Sequence, residues 1–499
     1  MMQRTGGGRV HFIQGGQNGG HARPAFGCGL GTNHVTLWLD MRSRLLLLAA
    51  ALVAYGASLG SGFHFDDYAI FSGPLLQPGR AWLAPGVLTR ISFWLNYQAG
   101  GGAALCHAVN LALHLGAVLL LYECLLRLEG GRAALFAAAI FAVHPLQAEA
   151  VNYVSARGFL LAAVLMLAAF ATWLRRQAGQ AKAPAPQPRE ALYNKVGQTL
   201  SSLSAPISAI PFLLLSAVFL AAMLLADNQW TLHAPPGVHA ARYWLAQGVV
   251  AWRYLRLLVA PWGFTVDPDV RAPAAGIAVA AWALLLLAAA ALWRFRAKSP
   301  AIPWAFAGLI LMIGSALFPA RDLAADYRMY LPMIGLCAAA GSLLRRVKPR
   351  AAALGVVLLL TAAGAARTWV WLSDERLWRE AVRRAPDQVR PKVQLAHAVR
   401  AAEALDLLGQ ARELDPHDPD VPAAIGKVLL DEGQPDAALT EFTRALALDP
   451  RNAVNLNNRG VALAEIGQTE AARLDFERAL AIDPDLAEAR ENLNKLPAR

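Results

Sequence analysis

Two stretches near the C-terminus repeat each other: residues 426–450 read GKVLLDEGQPDAALTEFTRALALDP, and residues 460–484 read GVALAEIGQTEAARLDFERALAIDP. They are offset by 34 residues, and Asp415-Pro416 continues the spacing one period upstream. Small residues recur inside each stretch, and a proline closes it. Small residues let paired helices approach closely and proline ends the second helix, so this region is predicted to be repeated helix pairs.

A 34-residue period of this kind is the tetratricopeptide signature. Clear repeats cover about 420–487, residues 386–419 form a degenerate third, and we assign the repeat domain to 371–499. Such a solenoid binds proteins or peptides and carries no chemistry of its own. We therefore expect a protein or peptide partner for this region.

Upstream of the repeats, the composition indicates a membrane protein. The chain has 499 residues, of which 56% are hydrophobic, and its apolar residues come in long blocks. The formal charge is +11, but the basic residues lie in short clusters between these blocks, so topology explains them and no nucleic-acid partner is expected. The four cysteines show no metal spacing and predict neither a disulfide framework nor a zinc site.

Apolar blocks long enough to cross a bilayer predict about nine spans in residues 41–370. They are about 44–62, 105–126, 131–144, 158–174, 207–226, 273–293, 301–318, 331–344 and 351–368. The block 240–262 mixes arginines with aromatic residues and reads as an interfacial or re-entrant helix. Residues 1–40 are Gly-rich and contain no span, so we expect a mis-called start or a disordered tail.

The distribution of arginine and lysine predicts the sidedness. With a cytoplasmic start, the inner segments carry 16 Arg and Lys, whereas the longer outer loops carry 9. Because cytoplasmic loops are enriched in basic residues, the chain is predicted to be a multi-pass inner-membrane protein with its repeat domain in the periplasm. Asp66 and Asp67 then lie in the first outer loop.

Polar residues in and beside the spans predict a site. Asp66 and Asp67 are adjacent carboxylates at a membrane mouth, which are costly to desolvate. His107, Asn110 and His114 share one face of a span because their spacing is i, i+3 and i+7. Such a face points into a helix bundle or a cavity.

These residues occur in an ordered series of motifs. The series is Phe-Asp-Asp-x-x-Ile at 65–70, Leu-Thr-Arg at 88–90, His-x-x-Asn-x-x-x-His at 107–114, His-Pro-x-x-x-Glu-Ala-Val at 144–151 followed by Arg-Gly at 157–158, and Arg-x-Tyr-Leu-Pro at 328–332. The ordered set, together with the repeats, resembles the transmembrane and tetratricopeptide-repeat O-mannosyltransferase-like proteins and their bacterial relatives. The resemblance covers about residues 44–487.

The resemblance implies an all-α polytopic helix bundle of the GT-C type, followed by the repeat solenoid. It implies a glycosyltransferase that moves a sugar, mannose among the options, from a polyprenyl-phosphate donor to a protein acceptor. One departure from the pattern concerns the loop before Tyr-Leu-Pro. The acidic member of an acidic-Arg pair is displaced to Asp326, which puts its carry-over in doubt, whereas Arg328 fits.

The resemblance also implies roles for individual residues. An acid of the first outer loop would act as general base or hold a divalent cation such as Mg or Mn, with Asp66 the first choice and Asp67 the second. The alternative for both is a helix cap or a solvated loop. His144 and Glu149 are candidates for the acceptor or metal site, and a cap is the alternative for His144.

Three arginines are candidate ligands of the donor phosphate: Arg90, Arg157 and Arg328. Guanidinium binds phosphate oxygens in a bidentate manner, although each arginine could instead anchor at the lipid headgroups. The rival function is a non-catalytic scaffold whose repeats recruit envelope proteins. Anchoring needs one span and no set of His, Asp and Arg in the outer loops, so the enzyme is favoured.

Overall fold

A computed structural model describes residues 29–65, 67–68, 87–180, 240–268, 270, 273–314, 322–348 and 350–497. Throughout these ranges the chain is helical and contains no strand, as predicted. The helices before the repeats are Gly29–Tyr55, Val87–Gln98, Ala103–Glu129, Gly131–Val143, Ala148–Asn152, Arg157–Gln180, Ala240–Val259, Ala275–Arg294, Ala301–Gly314, Tyr330–Leu344 and Arg350–Trp371. Short 3-10 turns at Gly56–Gly60, Pro145–Gln147, Val154–Ala156 and Asp326–Met329 join some of them.

Five helices in the described ranges are long and apolar enough to cross a membrane. They are Asp40–Gly60, Ala103–Glu129, Val154–Arg175, Ala275–Arg294 and Ala351–Trp371. A sixth candidate is the pair Gly131–Val143 and Pro145–Asn152, which bends by 52° between its halves.

The predicted count of nine spans is not confirmed. The predicted span 207–226 lies outside the described residues. Two further predicted spans correspond to the shorter helices Ala301–Gly314, of 14 residues, and Tyr330–Leu344, of 15 residues. The predicted span 131–144 corresponds to the first half of the bent pair, which breaks at His144 before Pro145.

Small residues bring the apolar helices into close contact. A Cβ atom at Gly335 would lie 2.6 Å from the backbone nitrogen of Gly308, and one at Gly364 would lie 2.5 Å from the carbonyl oxygen of Val143. Neither position accepts a side chain without a shift of backbone. Close backbone approach at small residues is the usual basis of helix packing in a bilayer, where lipid removes the hydrophobic drive.

The repeat region consists of helix pairs, as the 34-residue period predicts. Its helices are Asp374–Arg384, Val389–Ala396, Ala401–Leu414, Asp420–Asp431, Pro435–Leu448, Ala453–Glu465, Thr469–Ile482 and Ala487–Lys495. A Cβ at Gly426 would lie 2.9 Å from Phe442 Cδ1, and one at Gly460 would lie 2.6 Å from Phe476 Cε1. The repeated glycine therefore makes room for the repeated phenylalanine of the partner helix.

Contacts divide the chain into two units, Met1–Arg44 and Leu45–Arg499. In the first unit, Arg44 Nε donates to Asp40 Oδ2 at 2.9 Å within the first helix. Residues 1–28, which hold most of the predicted tail, lie outside the described residues. The second unit contains both the apolar helices and the repeats, and its contacts form the candidate site.

Candidate functional site

Three segments meet beside the start of the repeat region, and we call them together the loop cluster. They are residues 61–68 (without Asp66, which lies outside the described residues), 144–157 and 322–330. The first two segments are joined by Asp67. Its Oδ1 accepts hydrogen bonds from Ser155 N and Ser155 Oγ, both at 2.7 Å. Its Oδ2 accepts from His64 N at 3.1 Å and from Val154 N at 3.3 Å.

Asp67 is fully buried, so these four donors account for the acceptor sites of its carboxylate. Burial raises the pKa of Asp67 to about 6, although the hydrogen bonds from Ser155 and His64 act to lower it. In the described geometry Asp67 therefore links the first and second segments of the loop cluster through hydrogen bonds. The predicted catalytic and metal roles of Asp66 and Asp67 stay predictions.

Arg157 is fully buried at the start of its span and contacts two other helices, Val87–Gln98 and Ala103–Glu129. Nε donates to Asn110 Oδ1 at 2.8 Å, Nη2 donates to the carbonyl of Cys106 at 3.0 Å, and Nη1 donates to Asn96 Oδ1 at 2.5 Å. A longer bond of 3.4 Å runs from Nη1 to Ser92 Oγ, and the guanidinium lies 4.3 Å from the centre of the Phe93 ring. Its predicted role as a phosphate ligand would require it to give up some of these partners.

The polar face predicted for the second span is present and buried. His107 Nε2 donates to the carbonyl of Gly62 at 2.9 Å, and Asn110 Nδ2 donates to the carbonyl of Tyr153 at 3.2 Å. His114 Nε2 donates to the carbonyl of Ala142 at 3.1 Å, which leaves Nδ1 to accept from the Tyr330 hydroxyl at 2.8 Å. Each residue of the face thus ties the span to a different segment.

His144 forms the elbow of the bent helix pair. Its Nδ1 accepts from Leu146 N at 3.2 Å, and its Nε2 donates to the carbonyl of Leu258 at 3.0 Å. The Tyr55 hydroxyl donates to the backbone carbonyl of His144 at 2.5 Å. Both ring nitrogens are therefore engaged in holding the elbow, which favours the cap interpretation over an acceptor contact.

Glu149 joins the second and third segments of the loop cluster. Its Oε2 accepts from the backbone nitrogen of Asp326 at 2.6 Å. The Asp326 carboxylate in turn pairs with Arg253 Nη1 at 2.7 Å, so its partner is on helix Ala240–Val259. Arg328 is buried and donates to the Tyr243 hydroxyl at 3.1 Å on that same helix. The displaced acid and its neighbouring arginine therefore both face the helix Ala240–Val259.

Aromatic rings pack between the three segments of the loop cluster. The Tyr153 ring lies 6.3 Å from Tyr327, 5.6 Å from Phe65 and 6.2 Å from Trp371. This layer connects the turn before Asp66 with the loop that carries Arg328. Of the seven predicted site residues, five therefore lie in the loop cluster: Asp67, His144, Glu149, Arg157 and Arg328.

Arg90 lies outside the three segments of the loop cluster. It lies on helix Val87–Gln98, which also carries Ser92 and Asn96, two of the partners of Arg157. In the described part of the chain, no group of three or more His, Cys, Asp and Glu side chains could hold a metal ion. The two carboxylate oxygens of Asp67 are engaged by four donors from the protein.

The sequence interpretation missed two charged residues of the site. Arg253 is nearly buried and pairs with Asp326. Arg367 is buried, interacts electrostatically with Glu149 and pairs with Glu380. Arg367 interrupts an apolar span, which is a signal of function that the sequence alone provides. Arg253 gave no such signal, since its segment mixes several arginines with aromatics.

The fold and this site define a polytopic, all-helical membrane protein joined to a tetratricopeptide-repeat solenoid. The profile of the tetratricopeptide repeat matches residues 395–456 and, in a second version, residues 441–473. A solved repeat protein, YrrB, described as having an unusual peptide-binding site, is 25% identical and covers 30% of this chain and 86% of its own, with a TM-score of 0.23.

Three curated relatives have the same kind of name. Protein O-mannosyl-transferase F38B6.6 of Caenorhabditis elegans is 32% identical over 154 residues, which are 26% of this chain and 22% of the relative. Protein O-mannosyl-transferase TMTC1 of Mus musculus is 31% identical over 209 residues, 37% of this chain and 20% of the relative. The Homo sapiens TMTC1 is 34% identical over 155 residues, 26% of this chain and 18% of the relative.

The matched segment spans about a fifth of the length of these relatives. The chain is a tetratricopeptide-repeat-containing relative of the protein O-mannosyl-transferases, as the ordered motifs predict.

Proposed function

We propose that this chain is a GT-C-type membrane glycosyltransferase that moves a sugar from a polyprenyl-phosphate donor to a protein acceptor on the periplasmic side. The observation that carries the proposal is the loop cluster, in which five predicted site residues from separate segments converge beside the repeats. Kinship with the protein O-mannosyl-transferases supports the class of reaction and makes mannose a candidate sugar.

The two adjacent acids have different roles in this reaction. Asp66 is the general base, which takes the proton from the acceptor hydroxyl as its oxygen bonds to the sugar and the sugar–phosphate bond breaks. Asp67 is a positioning residue, because its four hydrogen bonds tie its own segment to His64, Val154 and Ser155. The bonding electrons leave with the phosphate oxygen, whose negative charge then needs a cation.

We assign this cationic role to two arginines in and beside the third segment of the loop cluster. Arg253 pairs with Asp326, and Arg328 contacts Tyr243 on the same helix as Arg253. Guanidinium groups stabilise a leaving phosphate through charge-assisted hydrogen bonds. Arg90 is the further candidate from the first loop. In this proposal Arg157 stabilises the cluster through its bonds to Asn110, Asn96 and Cys106, in keeping with its burial.

The test is sugar transfer in membranes that contain the chain. Radiolabelled polyprenyl-phosphate sugars would be supplied to membranes with and without the protein, and label would be followed into protein. Protein-bound label that depends on the chain is the expected result. Its absence for every donor, with envelope proteins still retained by the repeats, would refute the enzyme and favour the scaffold.

The sidedness is tested separately with a reporter fused after Arg499. A reporter that is active only in the periplasm is expected to be active, because the proposal places the repeats there. A reporter active only in the cytoplasm would contradict the assignment of Asp66 to the outer face.

A further inference from the structure

The first helix of the repeat region touches the turn that precedes the adjacent acids. Phe65 has a backbone φ of 49°, which makes it the non-glycine residue with a positive φ in the described chain. Side chains rarely adopt this left-handed conformation, and it persists only where the surroundings enforce it. Phe65 directly precedes the adjacent acids in the chain, so the contacts that enforce its conformation also constrain the loop that carries them.

Aromatic residues of the repeat region surround the Phe65 ring. Its centre is 5.0 Å from the ring of Trp378 and 6.2 Å from that of Trp371, in edge-to-face arrangements. Phe65 packs against the hydrophobic cluster of Trp378, Leu395 and Leu407, which is the first core of the repeat helices. The turn therefore inserts one of its side chains into the repeat domain.

An ion pair fixes the residue on the other side of the turn. His64 is buried, and its Nδ1 lies 2.5 Å from Oδ1 of Asp374, the first residue of helix Asp374–Arg384. Ser61 Oγ donates to the carbonyl of Trp371 at 2.8 Å and therefore accepts from His64 Nε2 at 2.9 Å. The imidazole of His64 therefore lies between the Asp374 carboxylate and the Ser61 hydroxyl and has a hydrogen-bond partner at each ring nitrogen.

His64 is also bonded to Asp67 through the backbone. His64 N donates to Asp67 Oδ2 at 3.1 Å, and Asp67 N donates to the carbonyl of His64 at 2.9 Å. A continuous set of contacts thus runs from Asp374, on the first repeat helix, through His64 to Asp67. Since both residues of the turn before Asp66 are held by the same helix, movement of that helix would displace the turn.

We infer that the first repeat helix, Asp374–Arg384, positions the loop that carries the adjacent acids, with Asp374 and Trp378 as positioning residues for the turn at His64 and Phe65 and, through it, for Asp67. The inference rests on the proposed function for its catalytic meaning. It assigns to the repeat domain a second task besides binding the acceptor, because the first repeat helix contacts the turn at His64 and Phe65 directly.

The first test is hydrogen–deuterium exchange of the full chain, which does not depend on activity. In Asp374→Asn, the amides of His64 and Asp67 are expected to exchange about tenfold faster, because the hydrogen bond between His64 and the carboxylate is weakened and local opening becomes easier. Glu375→Gln is the matched control, since Glu375 is the next residue and pairs only locally with Arg379 at 2.8 Å. Trp378→Phe is a second variant that keeps an aromatic ring in the core.

Unchanged exchange at His64 and Asp67 in both Asp374→Asn and Trp378→Phe would overturn the inference. The second readout is sugar transfer, in which Asp374→Asn should lower kcat about tenfold, by the same estimate of one weakened charged hydrogen bond, while KM for the donor stays unchanged. Asp374→Glu should restore part of the rate. Faster exchange with an unchanged kcat would refute the positioning role. An inactive wild type would refute the proposed function, and the exchange rates would then still show whether the first repeat helix holds the turn.

Discussion

Replacing Arg157 with lysine separates a structural arginine from a phosphate ligand. The guanidinium makes four hydrogen bonds to four residues and lies against the Phe93 ring. A lysine has three N–H donors, so at least one buried acceptor loses its partner. Each such loss costs about 1–3 kcal/mol, and the weaker ring contact adds roughly 0.5–1 kcal/mol. Arg157→Lys should therefore destabilise the protein by about 2–4 kcal/mol.

The assay is the fraction of monodisperse protein that survives heating in detergent, read by size-exclusion chromatography. Arg175→Lys is the matched control, because Arg175 is on the same helix but exposed, and its 3.4 Å pair with Glu123 is worth at most about 1 kcal/mol. The midpoint of Arg157→Lys should fall by several degrees, while that of Arg175→Lys stays near wild type. An unchanged midpoint with a raised KM for the donor would refute the structural role and restore the phosphate assignment.

Two further predictions concern the repeats and the buried acid. Gly460→Ala should destabilise the repeats by about 1–3 kcal/mol, because its Cβ would overlap Phe476. Gly409→Ala, whose Cβ has no atom within 4 Å, should stabilise them by about 0.5–1 kcal/mol. Amide exchange of the repeat helices in the full chain measures both effects, and equal effects would contradict the packing. Because burial raises the pKa of Asp67 from 3.8 to about 6, its neutral form is favoured by the fold. The contribution is present below pH 3.8 and is lost as pH rises through about 6, a change of about 2–3 kcal/mol, so the stability of wild type relative to Asp67→Asn should fall between pH 4 and 6.5. A relative stability that rises over this interval would show that the hydrogen bonds outweigh burial.

The fold was largely predictable because it depends on periodic signals. The 34-residue spacing predicts paired helices, and the contacts of Gly426 and Gly460 with phenylalanines are the physical reason for it. Apolar length predicts spans, but it cannot tell a span from a bent or short helix. The segment 131–152 has the apolar length of a span, and it bends because His144 and Pro145 interrupt the helix.

The candidate site was predictable in its members but not in their roles. Spacing alone placed His107, Asn110 and His114 on one face, since a helix fixes which residues share a side. Nothing local in the sequence indicates that Arg157 makes four hydrogen bonds, because its partners come from segments distant in the chain. The contact between His64 and Asp374 joins residues 310 positions apart, and no periodic pattern reports such a pair.

The central claim is that Asp66 is the base of a sugar transfer and that Asp67 only holds it. The most direct measurement is the rate of sugar transfer at saturating polyprenyl-phosphate donor for the purified wild-type protein and for Asp66→Asn. The account predicts transfer by the wild type and a loss of about 10²–10⁴-fold in Asp66→Asn, with an unchanged thermal midpoint. Equal rates for the two proteins would contradict it.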